Sequence, residues 1–250
     1  MDLGLKDARV LVSGGTRGIG REIVRAFLAE GARVAVAARG QAGLDALCNE
    51  LAAGDRLVPL AADVGDADQA PLLVHRAMAS LGGLDVLIAN ATANREGRSE
   101  QDYQESFSVD LMQAVRLVEA VRSEQPGAPL SVVCMSSIVG KSGDTPEHGY
   151  GAMKAALLAF TKNAAVTFGP EGMRVNAVAP GAILFEGGWW DLVRTRDPDA
   201  FSRTLANIPR GQMGAPEEVA AVVCFLASER AAHVNGATVL VDGGEYKGYA

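Results

Sequence analysis

The feature that most limits what this chain can fold into is a rhythm. Short apolar runs alternate with longer stretches of helical spacing almost from end to end. Ala8 to Val12 reads as a strand; so do Arg33–Ala38, Leu57–Ala61, Asp85–Ala89, Leu130–Met135, Arg174–Val178 and Thr238–Val241. Between them Leu44–Ala53, Gln69–Leu81, Phe107–Val121, Met153–Phe168 and Glu217–Leu226 carry apolar residues at helical intervals. Strands that alternate with helices over short links form a parallel sheet covered on both faces. The expectation is an α/β fold, a doubly wound parallel sheet of about seven strands in one domain spanning residues 1–250, with no repeat or linker.

Bulk properties agree and exclude several functions. At 250 residues and 48% hydrophobic, the chain has ample material for one large core. A net charge of −7 and a pI near 5.1 argue against binding nucleic acid or an anionic membrane, both of which need a basic surface. No run approaches the roughly 20 apolar residues of a membrane span, and the N-terminus lacks a signal layout, so a cytoplasmic protein is expected. Cys48, Cys134 and Cys224 show no Cys-x-x-Cys pattern and are expected as buried free thiols. His75, His148 and His233 are scattered, so no metal site is expected.

The first strand runs into Ser13-Gly-Gly-Thr-Arg-Gly-Ile-Gly20, followed by Ile19, Ile23, Ala26 and Phe27 at helical spacing. Strand, glycine turn and helix can hold a dinucleotide: the glycines let the backbone approach a pyrophosphate, and the helix N-terminus offers unpaired N–H groups. A plain tight turn is the bland alternative. The second strand ends in Ala38-Arg39, where an acid would otherwise contact a ribose 2′-hydroxyl. Arg39 with Arg17 can instead clamp a 2′-phosphate, unless both are merely solvated. Asp63, after the third strand, can accept from an adenine amino group or cap the next helix.

The stretch Ser136–Lys154 holds the chemistry. Tyr150 and Lys154 are four apart and share a helix face, and an ammonium near a phenol favours the phenolate. The pair is a general acid/base with its own tuner. Ser137 ends the Leu130–Met135 strand region, with a hydroxyl suited to polarising a substrate oxygen. Phe107–Val121 and Met153–Phe168 are apolar nearly all round, which suggests a subunit interface and a homo-oligomer, tetramer or dimer. From Ile183 to Gln212 periodicity is lost; this segment, with Trp189, Trp190 and Phe201, is read as a lid.

Together these elements resemble the short-chain dehydrogenase/reductase family, with a Rossmann-like fold, from Ala8 to about Gly244. The likeness rests on Gly14-x-x-x-Gly18-Ile19-Gly20, Asp63, Ala89-Asn90-Ala91, Ser137, Tyr150-x-x-x-Lys154, Arg174-Val-Asn-Ala-Val-Ala-Pro-Gly181 and Val241-Asp-Gly-Gly244. It implies Tyr150 as proton donor and acceptor, Lys154 on the nicotinamide ribose, and Ser137 on the substrate oxygen. It also implies NADP(H) in preference to NAD(H), held by Gly14, Thr16, Arg17, Gly18, Ile19, Gly20, Arg39, Asp63, Val64, Asn90, Tyr150, Lys154, Pro180, Gly181 and Ile183. Three positions depart from the family pattern: Asp110 stands where many relatives have a catalytic Asn, Thr92 ends the turn after the fourth strand, and Phe185 replaces a common Thr.

The overall similarity is to 3-oxoacyl-(acyl carrier protein) reductases and the carbonyl reductases built like them. Glu171 and the cation-free run Gly127–Leu130 suit an acidic carrier protein poorly. A small or medium ketone or secondary alcohol is therefore the expected substrate, with apolar bulk enclosed by Trp189, Trp190 and Phe185 and with His148 in reach. Trp189 and Trp190 as lid packing, and His148 as a plain loop residue, are the alternatives. A dinucleotide-binding regulator without turnover is the reading from a different class.

Overall fold

The computed structural model describes residues 2–93, 97–142 and 148–248. Its centre is a seven-stranded parallel sheet: β1 (Arg9–Ser13), β2 (Arg33–Ala38), β3 (Leu57–Ala61), β4 (Val86–Ala89), β5 (Leu130–Met135), β6 (Met173–Pro180) and β7 (Thr238–Val241). The order is β3-β2-β1-β4-β5-β6-β7. Each strand falls within about two residues of its sequence-based bounds, because apolar runs, buried on both faces in all but the edge strands β3 and β7, are short and stop abruptly.

Helices α1 (Gly18–Ala29), α2 (Gln41–Leu51) and α9 (Pro216–Ala227) share one core with Val10 and Val12 of β1. The other core takes Leu11 and packs under α3 (Gln69–Leu81), α5 (Gln113–Glu124) and α6 (His148–Phe168). Successive strand residues thus feed opposite layers, as the pleat requires. Chain direction across the sheet reverses between β1 and β4, so the loops after these two strands open a crevice at their carboxyl ends. Every strand is parallel, so the turns after β1, β4, β5 and β6 all meet at one edge.

The structure amends several expectations. The helix expected from Phe107 begins earlier, as α4 (Glu100–Ser106), where Ser99 and Asp102 form a reciprocal cap. Phe107–Met112 then winds as a π-helix before α5, so one continuous apolar run conceals a change of helical pitch. Helix α6 starts at His148 rather than Met153, which places Tyr150 inside its first turn. The segment 183–212 contains α7 (Trp189–Arg196) and α8 (Pro198–Asn207). Asp197 caps α8 by accepting from the Ala200 N–H at 2.9 Å. Periodicity was faint there because α8 buries no residue and α7 only Val193. Cys134 and Cys224 are buried free thiols, whereas Cys48 is only half-buried. Burial pushes the Cys134 thiol up to about 11 and Cys224 up to about 12, so neither is ionised near neutral pH.

Arg174 shows why the end of the chain folds back on β6. Its guanidinium donates to the carbonyls of Leu226 at 2.9 Å, Val234 at 3.2 Å, Ala227 at 3.2 Å and Ser228 at 3.2 Å, and to Ser131 Oγ at 3.0 Å. The cation closes the C-terminal end of α9 and the turn beyond it. Asn176 completes the joint, donating to Val234 O at 2.8 Å and accepting from Ala237 N at 3.0 Å. Arg174→Met strips several part-buried carbonyls of their donor and is expected to lower unfolding free energy by about 2–4 kcal/mol. Urea denaturation checks this, and a shift below about 0.5 kcal/mol would show that water replaces the guanidinium freely.

Candidate active site

Lys154 is a cation with almost no water. Its side chain is 3% exposed. Nζ donates to Met135 O at 2.9 Å, lies 3.4 Å from Asp110 Oδ1, and stands 5.3 Å from the centre of the Tyr150 ring. A buried ammonium is tolerated only where a carbonyl and a counter-charge replace its hydration, and here β5 supplies one and the π-helix the other. Asp110 is completely enclosed. Its Oδ1 accepts from Thr92 Oγ1 at 2.6 Å, and its Oδ2 has no hydrogen-bond partner among the described residues. The π winding adds a residue to the turn and helps bring a carboxylate to the ammonium from a helix that otherwise packs on the sheet.

The end of β5 is tied to the same helix. Ser136 Oγ donates to Lys154 O at 3.0 Å. Gly140 permits the approach, for a Cβ there would lie 2.7 Å from Lys154 C and 2.8 Å from Ala155 N. Ser137 is 8% exposed and its Oγ accepts from Val139 N at 3.2 Å, which leaves its O–H proton to donate elsewhere. His148 is exposed at the start of α6. Residues 143–147 of the Ser136–Lys154 stretch lie outside the described residues.

The glycine turn is assembled by polar groups whose partners are far away in sequence. Asn90 Nδ2 donates to Ser13 O at 3.0 Å and Gly14 O at 2.9 Å. Ser13 Oγ donates to Gln113 Oε1 at 2.8 Å and accepts from Asn90 N at 3.0 Å and Ala91 N at 3.2 Å. Gln113 Nε2 in turn donates to Ala91 O. A Cβ at Gly14 would stand 2.7 Å from Ala91 Cα, and one at Gly20 would collide with Gly14 O and the Asn90 amide. The sequence reading found Gly14, Gly20 and Asn90 but missed Ser13 and Gln113, whose only signal is a polar residue inside an apolar element.

The N-cap of α1, Arg17, makes no side-chain cap bond, and the first turn contains no acid. The leading N–H groups of Gly18, Ile19 and Gly20 therefore suit a diphosphate. Thr16 lies beside Gly43 of α2, and Ile19 packs on the core. Arg17 and Arg39 are both exposed, and neither has an ion-pair partner among the described residues. Asp63 does not cap α3. Its Oδ1 accepts from Gly65 N at 2.9 Å, closing a turn that buries Val64. These residues fit a dinucleotide.

At the end of β6 Pro180 pairs with Val241, and beyond it Gly181 N donates to Val241 O at 3.0 Å and Ile183 bridges to Gly214. Glu245, absent from the sequence reading, accepts from Ala182 N at 2.8 Å through Oε2. Burial, then the nearby Asp242, pushes its carboxyl above the ordinary range, partly offset by the Ala182 N–H and Lys247. Phe185 does not join Trp190 in one apolar wall. Its ring lies against Gly18 and Gly188, whereas Trp190 packs with Ala182, Ile208 and Met213. Among the described residues no cluster suits a metal ion, and no helix is long and apolar enough to cross a membrane.

Comparisons with known proteins place this arrangement. A family model described as enoyl-(acyl carrier protein) reductase matches residues 14–245. Isoepoxydon dehydrogenase patN of Penicillium expansum is 39% identical over 252 residues, covering 98% of this chain and 97% of that protein. The 3-oxoacyl-[acyl-carrier-protein] reductase FabG of Escherichia coli is 32% identical over 241 residues, covering 94% and 96%. A solved structure from Brucella melitensis, described as short-chain dehydrogenase/reductase SDR:glucose/ribitol dehydrogenase, superposes with a TM-score of 0.87 at 28% identity over 99% and 100% of the two chains. With a seven-stranded parallel sheet, helices on both its faces and this similarity end to end, the chain belongs to the short-chain dehydrogenase/reductase family of oxidoreductases.

Proposed function

We propose that this protein moves a hydride between NADP(H) and a small or medium ketone or its secondary alcohol, with Tyr150 as general acid/base. The observation that carries the reading is the dry ammonium of Lys154, held 5.3 Å from the Tyr150 ring centre by Met135 and Asp110. A cation fixed beside a phenol stabilises the phenolate, so Tyr150 can give a proton to a carbonyl oxygen or take one from an alcohol. Ser137, with its O–H still available, orients that oxygen. Asp110 is a positioning residue: its Oδ1 lies 3.4 Å from the Lys154 ammonium, accepts from Thr92, and holds the ammonium in place. The bound nicotinamide supplies or takes up the hydride; the protein supplies geometry and charge.

Gly14, Thr16, Gly18, Ile19, Gly20 and Asn90 form the diphosphate side of the cofactor site, Asp63 and Val64 the adenine side, and Pro180, Gly181 and Ile183 the nicotinamide side. Arg17 and Arg39, exposed and unspent, hold the 2′-phosphate. Lys154 also holds the nicotinamide ribose. Segment 183–212, with α7 and α8, is the lid over the substrate. A free ketone suits the surface better than an acyl carrier protein. Arg122 is already shared by Glu119 at 2.7 Å and Glu171 at 2.9 Å, so that patch stays net acidic. Phe107 and Val166, 45% and 72% exposed on the π-helix and α6, mark the subunit interface of a cytoplasmic dimer or tetramer.

Tyr150→Phe leaves the ring and removes the proton, and kcat for ketone reduction is expected to fall about 10²–10⁴-fold with little change in NADPH affinity. Activity equal to the parent's would end this mechanism and favour a binding protein without turnover. Arg39→Ala is expected to raise KM for NADPH about 10–100-fold while leaving NADH within about twofold. Equal losses with both cofactors would remove the phosphate clamp. Sedimentation velocity is expected to show a dimer or tetramer that Val166→Lys weakens.

A further inference from the structure

We infer that Phe185 is a positioning residue that couples the dinucleotide turn to the first helix of the lid, so that filling the cofactor site resets Trp189 and Trp190. The inference rests on the cofactor reading above and goes beyond it to a residue with no part in the chemistry. One ring edge touches two backbones. A Cβ built on Gly18 would stand 2.5, 2.7 and 3.1 Å from Phe185 Cζ, Cε2 and Cε1. A Cβ built on Gly188 would stand 2.8, 2.9 and 2.9 Å from Cζ, Cε1 and Cε2. The same three ring atoms are therefore seated between the residue that opens α1 and the N-cap of α7. Neither position has room for a side chain while the ring stays there.

The two sides of this contact differ in stiffness. Helix α1 is anchored in the core through Ile23, Val24, Phe27 and Leu28. Helix α7 buries only Val193 and leans on α8. The link from ring to α7 is short and bonded: Gly188 N donates to Phe185 O at 3.0 Å, Leu192 N donates to Gly188 O at 3.1 Å, and Gly187 N donates to Asp191 Oδ2 at 3.0 Å. The ring and the start of α7 consequently move as one piece against a fixed α1. Gly18 is also where the N–H groups suited to a diphosphate begin. A ligand there changes the ring's surroundings on the stiff side, and dispersion contacts that fall off within an ångström pass the change to the soft side.

The protein provides its own reporter, because its two tryptophans are the first two residues of α7. NADP⁺ is titrated into the full-length parent, Phe185→Ala and Gly188→Ala, with calorimetry for binding and tryptophan emission for the lid. In the parent, saturation is expected to change emission. In both variants that change is expected to shrink about fivefold or more while the calorimetric Kd stays within about threefold. Variants that bind NADP⁺ and keep the parent's emission change overturn the coupling, as does a parent that binds with silent tryptophans. A parent without binding heat overturns the cofactor reading itself, a separate result. If Phe185→Ala does not fold, Gly188→Ala asks the same question from the lid side, by displacing a ring that is still present.

Discussion

A charge that has lost its water governs this structure. Burying the Lys154 ammonium costs several kcal/mol unless carbonyl and carboxylate oxygens replace the solvent, and two such oxygens and an aromatic ring come to it from three places in the chain. Met135 brings one from the end of β5, Asp110 another from the π-helix, and Tyr150 adds its ring from one turn earlier on α6. None can shift alone. The π winding, the Ser136 bond to the Lys154 carbonyl and the bare Cα of Gly140 are all consequences of making that convergence tight. Thr92 extends the set by occupying the one Asp110 oxygen that faces the ammonium.

The parallel sheet makes such convergence possible. Because every strand runs the same way, the turns after β1, β4, β5 and β6 gather at one edge, and the reversal of order at β1 and β4 opens a crevice among them. The crevice is braced by Ser13, Asn90 and Gln113, buried or part-buried polar groups that satisfy one another and the glycine-turn carbonyls. Such a network holds its geometry because any member left unpaired would cost more than the bond it lost. The glycine turn thus stands over a tightly packed core, whereas α7 and α8 beside it are only lightly buried.

Much of this was legible in the chain. Seven strand runs separated by helical stretches led to the correct sheet because buried parallel strands are nearly pure Val, Leu and Ala and stop abruptly. Tyr150 and Lys154 could be singled out by residue type and spacing, Asp110 only through the family resemblance, and the structure brings Asp110 and the Tyr150 ring to the Lys154 ammonium. What escaped was whatever depends on a partner far along the chain. Ser13 and Gln113 are 100 positions apart, and the Glu245 carboxylate reaches Ala182 across 63. Phe185 looked like substrate-pocket bulk, yet its ring lies on the glycine turn. Helices α7 and α8 went unread because they span only 8 and 10 residues and their apolar positions, such as Phe201 and Leu205 of α8, are few and only partly buried.

The sequence by itself determined the layers, the strand boundaries, the glycine turn and the membership of the Tyr150–Lys154 pair, since each is written in periodicity or spacing within one element. Only the tertiary structure decided that Lys154 is dry and that Asp110 is its counter-charge. It alone also decided that one phenyl ring lies against both the glycine turn and the start of α7. The physical reason is that desolvation and close contact are properties of neighbours in space, and here those neighbours arrive from strands and helices that are remote along the chain.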